Sequence, residues 1–193
     1  IMEWFGQKEF IKLRYERHKH VIGHLAKFYD EIGLRMMLLK GYGLSLNYPQ
    51  PEFRPSGDID IFLLTQDGFK FKVSSDKPLY KIADELITEK LGVEIDNSHH
   101  HHSVFMFENE MVENHFELIS VADHPSSKRI EKVLQKEVKK DYSTINVDGS
   151  VILLPSVRAN ALFLVRHCAS HFVSTGMTLR QLLDWLLFVR ANK

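Results

Sequence analysis

The chain has 193 residues, with Lys+Arg and Asp+Glu both at 25 and a formal net charge of zero. That balance gives no support to a broad nucleic-acid-binding surface, so long DNA is not an expected partner, although a local basic groove is compatible with it. The lone cysteine, Cys168, excludes an intrachain disulfide framework and fits a reducing compartment. The opening "IMEWFGQKEF" is too charged for a secretory leader, and no apolar run approaches the roughly 20 residues of a membrane helix, so the expectation is a cytoplasmic protein.

In chain order, residues 3–32 predict a long helix. Val21, Ile22, Leu25, Phe28, Tyr29 and Ile32 recur at helical spacing, and Gly33 is a natural stop. "RMMLL" (35–39) reads as a buried strand, "KGYG" breaks it, and a short helix is expected over "LSLNY". The proline-rich "YPQPEFRPSG" is a loop. "DIDIFLL" follows as a strand, and "GFKFKV" alternates like another. Asp76 and Pro78 open a helix ending at Gly92, with Leu79, Ile82, Ala83 and Leu86 inward. "SVFMF" and "MVENHFEL" form a hairpin around "ENE". Pro125 opens a helix with Ile130, Val133, Leu134 and Val138 inward and a solvated Lys/Glu face. Asp148-Gly149 in "INVDGSVILL" is a two-residue hairpin signal. From Pro155 two helices follow, divided near Ser174–Gly176. The order gives an α+β core over 1–154 and a C-terminal helical unit over 155–193. The ends at Ile1 and Lys193 look like the edges of a fragment, which leaves room for more protein to follow.

Asp58 and Asp60 carry the chemistry. In a strand, residues two apart share a face, so both carboxylates project together while Ile59, Ile61 and Leu63 pack the other way. In a helix they would diverge by about 200°. Two like charges on one face raise each other's pKa unless a cation sits between them, and a hard divalent ion does this well. Alone, a D-x-D most often marks a strand end facing water.

The surrounding residues point further. "LLKGYGLSLNYPQPEFRPSGDIDIFL" (38–63) resembles the signature of the DNA polymerase beta-like nucleotidyltransferase superfamily, and more narrowly a bacterial family of uncharacterised nucleotidyltransferases. Lys40-Gly41, Tyr48-Pro49, Arg54-Pro55-Ser56 and Asp58-Ile59-Asp60 match in order and spacing, and "VENHFEL" (112–118), "RHCASHF" and "LRQLLDWLLF" resemble later family segments. Two departures stand out. The usual Gly-Ser turn is Gly41-Tyr42-Gly43, and the usual leucine between glutamate and histidine is Asn114.

The resemblance implies a minimal nucleotidyltransferase mixed β-sheet flanked by helices. It also implies a third carboxylate, Glu113, beside Asp58 and Asp60. By alternation Glu117 is a rival, sharing a face with Glu113 and His115. These acids would hold Mg²⁺ or Mn²⁺, as two ions, for attack on a nucleoside triphosphate such as ATP. The acceptor is open: a small molecule, a protein side chain or an RNA end. Lys40, Gly41, Gly43, Arg54 and Ser56 are candidates for the triphosphate, against the plainer reading of turn glycines and surface charges. The alternative is a weakly active nucleotide-binding or toxin–antitoxin module on the same fold.

Two further groups are distinctive. Strand alternation would send two of His99–His102 to each face, where a pair could meet His115 and bind zinc. In the tail, His167 and His171, like Arg180 and Asp184, stand four apart on one helix face. They are either a wall against base or acceptor, or an intrahelical ion pair with partly buried histidines.

Overall fold

Two central strands set the architecture. β1 (Leu34–Leu38) and β2 (Ile59–Thr65) pair antiparallel, with Leu38 opposite Ile61 and Leu34 opposite Thr65. The computed structural model describes residues 2–66, 77–121 and 124–193. The "GFKFKV" segment and Asp76 lie outside them. Around β1 and β2 the sheet adds β3 (Ile95–Asp96), β4 (His102–Phe107), β5 (Glu110–His115), β6 (Tyr142–Val147) and β7 (Ser150–Pro155). The order is β3-β4-β5-β2-β1-β7-β6, with β2–β5 and β1–β7 parallel and the other pairs antiparallel. Among the described residues this seven-stranded mixed sheet and its flanking helices make the α+β architecture expected from the sequence.

Period-two alternation fills a layer on each face. Ile59, Ile61 and Leu63 pack with Leu34, Met36 and Leu38 under α1 (Met2–Glu31) and α3 (Leu79–Leu91). Tyr29, Ile22 and Leu25 of α1 are fully buried there. Burying one such aliphatic side chain contributes about 1.5–3 kcal/mol. On the other face Met37, Leu39, Phe62 and Leu153 pack with α4 (Pro125–Lys140) and α5 (Val157–Ser174). A small third cluster joins Leu44 of α2 (Tyr42–Ser45), Leu164 of α5 and Phe188 of α6 (Leu179–Ala191). No described helix is long and apolar enough to cross a membrane.

Both hairpin turns place two residues at positive φ, matching the strand twist: Glu108 and Asn109 between β4 and β5, Asp148 and Gly149 between β6 and β7. Several local expectations shift. The short helix begins at Tyr42 rather than Leu44, because Gly41 takes the turn and Tyr42 buries its ring against Tyr15, centroids 4.9 Å apart. The two-residue β3 is too short to show a period. On α4, Val133 is exposed and Glu131 is buried in its stead. The Glu131 carboxylate accepts the N–H groups of Leu118 (3.0 and 3.1 Å) and Ile119 (3.0 Å), holding the chain that leaves β5. Asn114 is explained the same way: its side chain donates to the buried Asp84 of α3 (3.0 Å).

Candidate active site

The acids meet because of sheet register. Asp58 immediately precedes β2, and Asp60 sits within it on the face of Phe62, toward α5. β5 runs parallel to β2, with Asp60 paired to Glu113 and Phe62 to His115. Neighbouring strands in register put paired side chains side by side on one face. Asp60 and His115 are almost fully buried.

Two basic side chains answer them. Lys40, at the end of the turn after β1, places Nζ 2.6 Å from Asp60 Oδ1. His115 Nε2 lies 3.0 Å from the same oxygen and 3.3 Å from Glu113 Oε2. Burial opposes the Lys40 charge, but Asp60, then Asp58 and Glu113, outweigh it and hold the ammonium above the usual lysine range. Burial likewise opposes the His115 charge, and its hydrogen bonds to Asp60 and Glu113 hold it above the usual histidine range. Burial would raise Asp60, yet Lys40 and His115 hold it well below the ordinary carboxylate range. Glu113 is lowered, chiefly by its hydrogen bond with His115. Asp58 goes the other way, pushed up by burial and then by repulsion from Asp60. The trio is therefore unequal, and Asp58 carries the least compensated charge.

Glu117 does not join them. β5 ends at His115, and the N–H groups of Phe116 and Glu117 both donate to the His101 carbonyl (3.1 Å each), so alternation stops there. The charged groups around Glu117 are Glu131 and Lys128.

The loop before β2 is fixed from below. Gly41 adopts φ 50° and ψ −113°, and a Cβ there would lie 2.9 Å from Ser56 Oγ, so only glycine fits. Ser56 Oγ donates to the Asp58 carbonyl (3.3 Å) and stands at the mouth of the site. Gly43 is turned away: its N–H donates to the Lys40 carbonyl (2.9 Å), and a Cβ would press on Leu154 of β7 at 3.1 Å. Its small size serves the packing against β7. Arg54 is also committed elsewhere. Its Nε and Nη2 donate to the two oxygens of Asp184 on α6 (2.7 and 2.8 Å), and Nη1 donates to the Gly41 carbonyl (3.0 Å). Tyr48 adds a hydrogen bond to Asp184 (2.7 Å). Asp184 therefore pairs with Arg54 rather than with Arg180, which instead reaches the Pro55 carbonyl (3.4 Å).

Beside the acids lies a cavity of about 430 Å³, within the range of ligand pockets. Lys40, Ser56, Asp58 and Asp60 form one wall; His167 and His171 of α5, with Arg180, Gln181 and Trp185 of α6, form the other. Glu113 and His115 stand beside Asp60 without lining it. The sequence reading missed Gln181 and Trp185. The Thr178-x-x-Gln181 capping box that starts α6 was the available signal, since Trp185 follows one turn later.

Burial, then the Lys40 charge, pushes His167 from 6.5 down to about 4. A group whose folded pKa is depressed in this way binds its proton first in the unfolded chain. Stability is thus expected to fall as pH drops from 6.5 toward 4, and His167→Gln should flatten that slope in melting curves recorded across the interval.

The family follows from comparison with known proteins. The chain belongs to the uncharacterised nucleotidyltransferase family, whose model matches residues 1–193. No curated protein matches it. Among solved structures, the antibiotic-resistance factor ANT(2'')-Ia in solution aligns with TM-score 0.62 at 12% identity, covering 92% of this chain and 85% of that one. ANT(2'')-Ia in complex with adenylyl-2''-tobramycin aligns with TM-score 0.59 at 13% identity, covering 92% and 90%. An antigenic nucleotidyltransferase-like protein from Paracoccidioides brasiliensis aligns with TM-score 0.56 at 16% identity, covering 90% and 75%. At such identities the likeness is one of fold.

Proposed function

We propose that this protein is a cytoplasmic, metal-dependent nucleotidyltransferase, moving a nucleoside monophosphate from ATP or another nucleoside triphosphate to an acceptor hydroxyl. The observation that carries the reading is a cleft lined by Asp58 and Asp60, with Glu113 paired in register beside Asp60, in a chain of a nucleotidyltransferase family.

The donor set suits a hard divalent ion. Three carboxylates face Lys40 and His115, and Lys40 already stands on Asp60 as a cation would. Asp58, Asp60 and Glu113 would hold Mg²⁺ or Mn²⁺, as one or two ions, which when bound would acidify the acceptor hydroxyl and neutralise the triphosphate. The acceptor oxygen attacks the α-phosphorus, the bond from that phosphorus to the bridging oxygen breaks, and pyrophosphate leaves. The hydroxyl proton passes to a carboxylate of the trio. Lys40, on its flexible stem, moves its charge from Asp60 to the phosphates. Ser56 donates to a phosphate oxygen, and Gly41 admits the close backbone approach. Arg54 positions this loop through Asp184, while His167, His171, Gln181 and Trp185 flank base or acceptor. A small hydroxylated compound is the favoured acceptor class, since a neighbour of this fold was solved with adenylyl-2''-tobramycin.

Lys40 seated on Asp60, with no Gly-Ser turn nearby, favours one second reading: a module that binds nucleotide without turnover. Incubation with α-labelled nucleoside triphosphates, Mg²⁺ and a cell extract separates the two. The enzyme yields a labelled product with equimolar pyrophosphate. Nucleotide binding without either product identifies the module.

A further inference from the structure

The transfer reaction leaves most of the histidine run 99–102 unused, and the fold treats its members differently. His102 opens β4 and pairs in register with His115 at the end of β5. Val104 pairs with Glu113 two residues on, so His102 projects from the same face as His115 and Glu113. His101 precedes the strand, outside its alternation, yet it turns to the same place. Its carbonyl accepts the N–H groups of Phe116 and Glu117, tying its backbone to the chain just beyond His115. Adjacent histidines thus meet one partner, which alternation alone would have forbidden.

The three rings form a tight group. Centroids lie 4.3 Å apart for His101–His102, 5.1 Å for His102–His115 and 5.7 Å for His101–His115. One ring nitrogen from each falls within 4.8 Å of the others. A tetrahedral ion with metal–nitrogen distances of about 2.0–2.1 Å would draw them to about 3.3 Å, a matter of side-chain adjustment.

A second observation is independent of this grouping. His102 is 7% exposed, and its Nδ1 is buried without a hydrogen-bond partner. A buried ring nitrogen is ordinarily paired, and an orphan calls for an explanation such as an ion. Its other nitrogen, Nε2, lies 3.9 Å from Glu113 Oε1, which supplies an oxygen at the edge of the group. The donor set is also of a different kind from the carboxylate trio: imidazole nitrogens select borderline ions, whereas carboxylates select hard ones. His20, His24 and Glu108 also group within 4.8 Å, but all three are exposed. They serve as the control.

We propose that His101, His102 and His115 bind one imidazole-preferring divalent cation of the Zn²⁺ class, at a site adjoining the carboxylate trio. His115 is engaged at both ring nitrogens, by Asp60 and Glu113 at Nε2 and by the Glu117 carbonyl at Nδ1 (3.3 Å), so ligation displaces one of these partners together with any proton there and couples the ion to the acids. The binding itself holds whether or not the chain turns over a nucleotide.

The test is calorimetric titration of the chelator-stripped full chain with ZnCl₂ in a large excess of Mg²⁺, with Co²⁺ absorption as a second readout. Expected are one ion per chain at micromolar or tighter affinity and the intense visible bands of nitrogen-ligated tetrahedral Co²⁺. His101→Ala, at a partly exposed position, should weaken binding by more than about tenfold. The combined His20→Ala/His24→Ala variant and Asp58→Asn should leave it intact. The last variant keeps the outcome separate from nucleotidyl transfer. Absence of binding, competition by Mg²⁺, or loss of binding in the His20/His24 variant with retention in His101→Ala would each overturn the proposal.

Discussion

Asp60→Asn is expected to lower nucleotidyl transfer by about 10²–10³-fold, the scale of removing one preorganised electrostatic contact from an active site. The same change should destabilise the fold. Lys40 and His115 both lean on this carboxylate at 2.6 and 3.0 Å, and they hold it in its charged form. A neutral amide leaves the buried Lys40 and His115 facing Glu113 and Asp58 alone. Asp58→Asn supplies the contrast. Burial and the Asp60 charge disfavour its ionised form, so the amide should remove comparable activity while leaving the melting temperature unchanged or higher. Transfer assays paired with thermal melts of both variants check this. Equal melting shifts would mean that Lys40 does not discriminate between the two acids.

The second large effect is structural. Arg54→Ala is expected to cost about 3–5 kcal/mol, the range for breaking a buried ion pair by removing one partner. Arg54 and Asp184 are both almost fully buried, and the pair is bidentate. Removing the guanidinium strands a carboxylate that Tyr48 alone would still meet, and it frees the Gly41 turn. Arg54→Met combined with Asp184→Leu should recover much of the loss, because a matched apolar pair strands no charge. Urea denaturation of the wild type and both variants gives the comparison. Had Arg54 been a free ligand for phosphate, its replacement would raise the KM for nucleotide with little change in stability.

These two sites show what the sequence could and could not disclose. Asp58-Ile59-Asp60 was readable because strand alternation is local, and the hairpins were readable because Asp148-Gly149 and the turn at Glu108-Asn109 are local too. Arg54 could be read only as a candidate for the triphosphate, because its partner Asp184 lies 130 residues away on α6. Glu117 was a fair rival to Glu113 only while β5 was assumed to continue. The hydrogen bonds from Phe116 and Glu117 to His101 end it, and they come from another segment. Val133 and Glu131 exchange places on α4 because the N–H groups of Leu118 and Ile119 need an acceptor there, which helical periodicity cannot register. Lys40 was marked as positive, but its seat on Asp60 depends on the antiparallel pairing of β1 with β2.

The most direct test is calorimetric titration of the wild-type chain with ATP, with and without Mg²⁺, repeated on the Asp58→Asn/Asp60→Asn double variant. The account predicts that Mg²⁺ tightens binding by at least about tenfold, as expected where ions shared with the phosphates neutralise them, and that the double variant loses this increment. Equal affinity without the ion, or the same Mg²⁺ increment in the double variant, would contradict it.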